Sequence, residues 1–322
     1  MGKAKAFFNQ FTNRRKFSSK SESKEETSPG IPAFFHTVTF RTMMSNPSAN
    51  KKYPLPMSKE EELNWINDQH YFLRHMWQGN FSAPISDLLT MGGAKVLYVG
   101  FDSEKWLLDT SKEYPNTKFV GIITKDFYSL TDDNSDCEAF SLTNATFYNM
   151  NLLDGLPFSD NEFDLVFVRM YDNPFTEQEW EQNIIKEVVR LTKRGGWLEL
   201  MPTDNRVFNA GPSFERWNEA VIESLKLKNV ICEKLHMFLA NTNQISSHSH
   251  QIMIRPVGSW GREFGELGVA YFKGLSAKLK SEVIGHLDMT EEEYNVMMTK
   301  MEEEFNSLKT YSFSHRFIAQ KK

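Results

Sequence analysis

Short apolar runs alternate with longer amphipathic stretches between residues 95 and 201. The runs predict five strands, at Lys95–Gly100, Lys118–Thr124, Thr146–Asn149, Asp164–Arg169 and Trp197–Met201. The stretch Ser103–Tyr114 between the first two is predicted to be a helix. Strands that alternate with helices of this length predict a parallel sheet with right-handed crossovers.

Three predicted helices begin with a capping box, in which Ser or Thr is followed three residues later by Glu. These boxes lie at Ser58, Thr176 and Thr290. After Met201 the alternation of strands and helices changes. Helices are predicted at Phe214–Leu227 and Val230–Leu239, and strands at Gln251–Val257 and Tyr311–Ala319.

The composition narrows the class of protein. Hydrophobic residues make up 40% of the 322 residues, and the net charge of −5 argues against a nucleic-acid binder that depends on overall positive charge. No apolar run approaches the ~18 residues that a membrane span requires, and the N-terminus has no signal-peptide core. We therefore expect an intracellular protein, cytoplasmic or nuclear, with no transmembrane segment.

Cysteine and histidine spacing gives no metal pattern. Cys137 and Cys232 are far apart in the sequence. His248 and His250 are close together, but no Cys or carboxylate lies at ligand spacing from them. We predict that both histidines lie in a solvated loop and that the chain holds no metal.

Four segments resemble class I S-adenosylmethionine-dependent methyltransferases. Val96-Leu-Tyr-Val-Gly-Phe-Asp-Ser-Glu-Lys-Trp106 lies where that family has its first strand, glycine-rich turn and helix. Tyr114-Pro115 followed by Phe119-Val-Gly121 resembles the approach to the second strand. Leu156-Pro-Phe-Ser-Asp-Asn-Glu-Phe-Asp-Leu-Val166 resembles the segment that leads into the fourth strand, and Lys193-Arg-Gly-Gly-Trp-Leu-Glu-Leu200 the entry to the fifth.

A narrower resemblance is to the fungal methyltransferases related to regulators of secondary metabolism. It is carried by Tyr53-Pro-Leu-Pro56, by Glu61 with Gln69-His70, and by the closing His315-Arg316-Phe317. The resemblance implies a doubly wound α/β fold with a mostly parallel seven-stranded sheet and an N-terminal helical extension. It implies S-adenosylmethionine as the cofactor and an acceptor that the sequence does not identify.

The resemblance also divides the chain. Residues 1–50 are predicted to be a disordered tail, with a short basic amphipathic anchor at Phe7, Phe8 and Phe11 as the alternative. Residues 51–322 are predicted to form the methyltransferase-like domain. Within it, 51–90 is a helical cap, 91–202 the cofactor-binding half, and 203–322 a helical insert with the C-terminal strands.

The cofactor motif departs from the family pattern. The family has an acidic residue followed by alternate glycines at this turn, where the absence of a Cβ lets the backbone approach the ligand. This chain keeps Gly100, but Tyr98 replaces the acid, and Asp102 and Glu104 replace two glycines. At the end of the second strand, Ile123 stands where the family has a carboxylate for the ribose hydroxyls.

The resemblance implies cofactor-binding positions at Gly100, Phe101, Asp102, Ile123, Asn151, Leu152 and Arg169, of which Asp102 and Ile123 depart from the family pattern. Asn151 would lie near the adenine amino group, and Arg169 would face the cleft. Asp126 could replace the missing ribose contact, and Gln69 and His70 could either contact the cofactor or only pack. No catalytic residue is predicted, since methyl transfer needs chiefly an aligned donor and acceptor.

Three functions remain open from the sequence. The first is a working methyltransferase with methionine contacts rebuilt around Asp102 and Glu104. The second is a pseudo-methyltransferase that binds a protein partner or another ligand without turnover. The third is an unrelated doubly wound enzyme that uses another nucleotide, against which the acidic turn argues, because phosphates prefer exposed N–H groups and positive charge.

Overall fold

Eight strands form one mixed sheet in the computed structural model, which describes residues 59–100, 105–123, 143–169, 175–204, 206–225 and 231–322. The strands are β1 Lys95–Gly100, β2 Lys118–Ile123, β3 Ala145–Asn149, β4 Phe163–Arg169, β5 Thr192–Met201, β6 Val207–Phe208, β7 Ile245–Pro256 and β8 Tyr311–Lys321. The five strands predicted up to Met201 are confirmed, with bounds that differ by a few residues. β6 is an addition of two residues.

The helices of the described residues follow the predicted alternation. They are α1 Lys59–Met76, α2 Ser86–Met91, α3 Lys105–Glu113, α4 (the consecutive segments Glu177–Glu179, Trp180–Ile185 and Lys186–Leu191), α5 Pro212–Leu225, α6 Leu235–Asn241, α7 Arg262–Lys278, α8 Lys280–Leu287 and α9 Glu291–Ser307. The middle segment of α4 is π-helical. Capping boxes at Thr176 and Thr290 are confirmed, and Ser58 lies outside the described residues.

The strand order is β3-β2-β1-β4-β5-β8, with β6 and β7 also paired to β8. Strands β1 to β5 pair in parallel, and β8 runs antiparallel to β5, β6 and β7. The doubly wound, mostly parallel sheet predicted from the sequence is therefore confirmed. The chain reverses its winding direction at β1, which has β2 on one side and β4 on the other.

Both faces of the central strands are buried, which explains why their sequences are almost continuously apolar. On β1, Leu97 and Val99 join a core beneath α4, while Val96 and Tyr98 face the core beneath α1 and α3. A third core lies among α5, α7, α8 and α9, around Trp217 and Phe272. None of the described helices is long and apolar enough to span a membrane.

The region after Met201 corrects one prediction. His248 and His250 lie within β7 and not in a loop, because β8 pairs with β7 along its whole length. The sequence Ser246–Gln251 has no apolar alternation, so its strand structure depends on the partner strand. Helices α7 and α8 were not predicted either; their apolar residues pack against α5, α9 and α1.

A buried ion pair fastens the segment between α1 and α2 to the sheet. Glu199 on β5 is fully buried and lies 3.1 Å from the Arg316 guanidinium on β8. Its carboxylate also accepts hydrogen bonds from the backbone N–H groups of Ser82 and Ala83, at 2.8 and 2.7 Å. We call this group the Glu199 clamp. It holds the end of α1 against the sheet and so positions α1 over the carboxyl ends of the strands.

Candidate functional site

The carboxyl ends of β1 and β4 meet at the point where the strand order reverses. Gly100 ends β1, Arg169 ends β4, and the two are direct register partners. In open α/β sheets, ligands bind in the crevice outside the strand ends at such a point. Three of the predicted site residues, Gly100, Arg169 and Ile123, are thus neighbours at the place where a ligand is expected.

The side chain of Tyr98 occupies the space beside Gly100. Residues 98 and 100 share one face of β1, and a Cβ at position 100 would lie 2.3 Å from the Tyr98 hydroxyl oxygen. Tyr98 is completely buried and stacks on Trp106, at 4.8 Å between ring centroids, while Trp106 stacks on Phe167 at 4.3 Å. Glycine at position 100 is therefore required by the neighbouring tyrosine, whatever the ligand.

Arg169 is held by a chain of side chains from α1 and α3. Its Nη1 lies 3.1 Å from Nδ1 of His70, and Nε2 of His70 lies 3.1 Å from the Asp109 carboxylate. Arg74, one turn after His70 on α1, donates to the same carboxylate at 2.6 Å. We call the group Arg169, His70, Asp109 and Arg74 the Arg169 relay.

The protonation of His70 follows from these contacts. A guanidinium can only donate, so Nδ1 of His70 accepts from Arg169 and Nε2–H donates to Asp109. Burial, reinforced by the charge of Arg169, lowers the pKa of His70 to about 4. His70 is therefore a neutral imidazole at pH 7, and it fixes the direction of the Arg169 guanidinium; Arg169 as a whole is 3% exposed.

Ile123, a third predicted site residue, is the register partner of Gly100 on the other side of β1. Asn151 is exposed, and its side-chain oxygen caps a 3-10 turn by accepting from the Leu153 N–H at 3.1 Å. Leu152 is buried in the core beneath α4. Ile123 ends β2 as predicted, but only its backbone is described, and Phe101, Asp102, Glu104 and Asp126 lie outside the described residues.

Comparisons with known proteins find similarity to methyltransferases. No family model matches the chain. The methyltransferase str3 of Strobilurus tenacellus is 26% identical over 165 residues, a match that covers 48% of this chain and 50% of that protein. The chain thus spans about half the length of the curated relative that it matches.

Solved structures with a similar course of the chain include two methyltransferases. Geranyl diphosphate C-methyltransferase from Streptomyces coelicolor A3(2) is 10% identical, with 90% of this chain and 92% of that chain covered and a TM-score of 0.46. Phosphoethanolamine N-methyltransferase 2 of Haemonchus contortus is 14% identical, with 79% and 57% covered and a TM-score of 0.38. At such low identities and TM-scores these structures do not decide the fold. The fold is assigned from the strand order, in which antiparallel β8 lies between β5 and β7.

The chain has the class I methyltransferase fold.

At the switch point of this methyltransferase fold, Tyr98 stands where the family pattern has an acid. Its ring is buried and stacked on Trp106, so this side chain does not offer the carboxylate that the family pattern implies.

Sequence reasoning missed Asp109 and Arg74 and left the role of His70 open. The signal was weak, because His70 and Asp109 are 39 residues apart and His70 and Arg169 are 99 apart. Only the tertiary packing of α1 against α3 and β4 brings His70, Asp109 and Arg169 together. Helical spacing of His70 and Arg74, at i and i+4, is the one element of the relay that the sequence contains.

A second polar cluster of the methyltransferase fold lies beyond β5. Asp204, Cys232 and His315 bring three metal-ligand atoms within 4.8 Å of one another. Asp204 accepts two hydrogen bonds from the Arg206 side chain, at 2.8 and 2.7 Å, and one from His315 at 2.8 Å. With the Arg206 backbone N–H at 3.1 Å as well, the carboxylate is saturated and already neutralised. This cluster is therefore an internal ion pair that joins the end of β5 to β8.

Proposed function

We propose that this protein is an S-adenosylmethionine-dependent methyltransferase that binds its cofactor outside the carboxyl ends of β1 and β4. The observation that carries the proposal is the doubly wound sheet whose switch point brings together Gly100 and Arg169 under α1. The similarity to str3, itself a methyltransferase, supports the same reaction. The acceptor is a small molecule or a protein.

The cofactor supplies an activated methyl group, and the chain has to hold it in line with an acceptor. Helix α1 contributes to this by covering the strand ends, since His70 on α1 contacts Arg169 on β4. The Glu199 clamp fixes the segment that joins α1 to α2, because Ser82 and Ala83 lie in it. The adenine end would lie at the end of β3, close to Asn151.

Isothermal titration with S-adenosylmethionine and S-adenosylhomocysteine tests the proposal. We expect a micromolar dissociation constant for both. Ligand at 100 times that constant should raise the free energy of unfolding by about 2.7 kcal/mol, visible as a higher melting temperature. No heat and no thermal shift at millimolar concentration of either ligand would refute the proposal.

A second candidate is a methyltransferase-like protein that binds a partner or another ligand without turnover. Tyr98 favours it, because its ring fills the space beside Gly100 and no acid is present at that position. The same titration separates the two candidates. Micromolar binding of S-adenosylmethionine excludes a methyltransferase-like protein that has lost its cofactor, and absence of binding excludes the working methyltransferase.

A further inference from the structure

We infer that two copies of this chain pair antiparallel through the edge strand β7 and so join their sheets across a two-fold axis. Strand β7, Ile245–Pro256, is the outermost strand on its side of the sheet. The occupant of this edge is a second copy of the same chain. The inference concerns assembly, and it holds whether or not the cofactor binds.

The outer edge of β7 is open in the part of the chain that the structure describes. Its strand pairing there is with β8, and no backbone hydrogen bond joins β7 to any other described segment. Residues 246–252 are all exposed. Because side chains alternate between the two faces of a strand, a continuous exposed run means that the edge itself reaches solvent. Unpaired N–H and C=O groups along such an edge can pair with another strand.

The middle of β7 lacks the features that keep edge strands apart. Proteins protect an edge by a short strand, a charged residue, a proline or a bulge. Strand β7 has 12 residues, against 5 in β3 at the other end of the sheet. Residues 248–254 contain no Lys, Arg, Asp, Glu or Pro. The shift of register lies between Ile245 and Ser247, and Arg255 and Pro256 come at the far end, so the segment between them is unprotected.

The absence of charge in this segment favours a second copy as the partner. The chain has a net charge of −5 at pH 7, so two copies repel one another over most of their surfaces. A two-fold axis places residues of β7 opposite residues of the same strand, where like charges would destabilise the pair. Residues 248–254 bring no acidic or basic side chain to that axis, and the strand can therefore pair with itself.

Two isoleucines supply an apolar contact. Ile252 is 52% exposed and Ile254 is 37% exposed, and their i, i+2 spacing places both on one face of β7. Directly opposite residues of an antiparallel pair also share a face. With Ile252 at the axis, opposite Ile252 of the second copy, the isoleucines of both copies form one patch.

This pairing ends at two copies. Each chain has one β7, and antiparallel pairing of identical strands is isologous, so both open edges are used at once. Strand pairing of this kind covers less surface than the ~800 Å² per partner of a standard interface. We therefore expect a weak dimer, with a dissociation constant of about 10 μM.

Analytical ultracentrifugation of the full chain measures this equilibrium. We expect the average mass to rise from that of one chain to that of two as the concentration passes through the dissociation constant. A wild-type chain that remains monomeric at about 200 μM overturns the inference.

Ile252→Lys places like charges on either side of the axis and should raise the dissociation constant about 10-fold or more. Val296→Lys is the matched control, since it introduces the same charge on α9 at a residue that is 50% exposed and lies outside β7. It should leave the dissociation constant unchanged. Circular dichroism verifies that both variants are folded. A dimer that survives Ile252→Lys, or one that both variants disrupt equally, overturns the inference.

Mixing Ile252→Lys with Ile252→Glu tests whether the two strands face one another. Each variant alone should be mainly monomeric. The mixture should form a mixed dimer with about the affinity of the wild type, because opposite charges then meet at the axis. Two folded variants that do not associate on mixing contradict the pairing of β7 with β7.

Hydrogen exchange of the wild type provides the measurement if the charged variants do not fold. The amides of 246–252 should exchange more slowly at concentrations above the dissociation constant than below it, since pairing shields them from solvent. The amides of β3 should exchange equally at both concentrations. Exchange of β7 that does not depend on concentration overturns the inference.

Discussion

The Glu199 clamp and the Arg169 relay lie on the same face of the sheet and differ in how each contacts its buried arginine. In the clamp, a buried carboxylate faces a buried guanidinium directly, and two backbone N–H groups complete its hydrogen bonding. In the relay, a neutral imidazole stands between Arg169 and the carboxylate of Asp109. Arg316 therefore faces a carboxylate directly, while Arg169 is linked to the carboxylate of Asp109 through His70.

The position of each group along the strands explains the difference. Arg316 lies on β8, where its register partner is Gln251 of β7, and its guanidinium lies over the Trp77 ring at 4.5 Å from the ring centre. A charge at that depth must be paired, since leaving it alone would cost several kcal/mol. Arg169 is buried as well, and it ends β4 at the crevice outside the strand ends.

The largest effect is expected from breaking the clamp. Glu199→Ala leaves Arg316 buried without its carboxylate and should lower the free energy of unfolding by about 3–5 kcal/mol, measured by urea denaturation. Glu303→Ala removes an exposed carboxylate from α9 and should change it by no more than about 0.5 kcal/mol. A loss of stability no larger than that of Glu303→Ala would show that Glu199 does not stabilise the fold.

The next effect is a pH dependence that the relay contributes. His70 titrates near 6.5 when unfolded and at about 4 when folded, so below pH 6.5 the unfolded chain binds more protons. The neutral imidazole makes its full contribution to the free energy of unfolding above pH 6.5. This contribution should fall by about 3 kcal/mol between pH 6.5 and 4. Urea denaturation across this range in the wild type and His70→Gln measures the difference between the two curves. Parallel curves would contradict the low pKa of His70.

The smallest effect is expected at the outer end of the relay. Asp109→Asn keeps an oxygen that can accept from His70 but removes the ion pair with Arg74, so the loss should be about 1 kcal/mol. Salt should reduce this loss, because Arg74 is partly exposed. Arg74→Gln provides the comparison and should cost about as much. A loss as large as that of Glu199→Ala would mean that the relay, too, is mainly structural.

Particular residues show how far the sequence predicted the site. Gly100 and Arg169 were placed correctly at strand ends, because alternating strands and helices leave little choice of topology. The family pattern implied ligand contacts for Asn151 and Leu152, and these remain predictions, although the first caps a turn and the second lies in the core. His70 could not be assigned, because its partners come from α3 and β4.

The sequence by itself determined the strands, the parallel winding and the reversal at β1, since these depend on local periodicity and on the handedness of crossovers. It also determined that Tyr98 replaces an acid. Tertiary structure alone decided that Ser246–Gln251 is a strand, that Glu199 is neutralised by Arg316, and that His70 is neutral and holds Arg169. The physical reason is that hydrogen bonds and charges act across space, between residues whose separation along the chain carries no pattern.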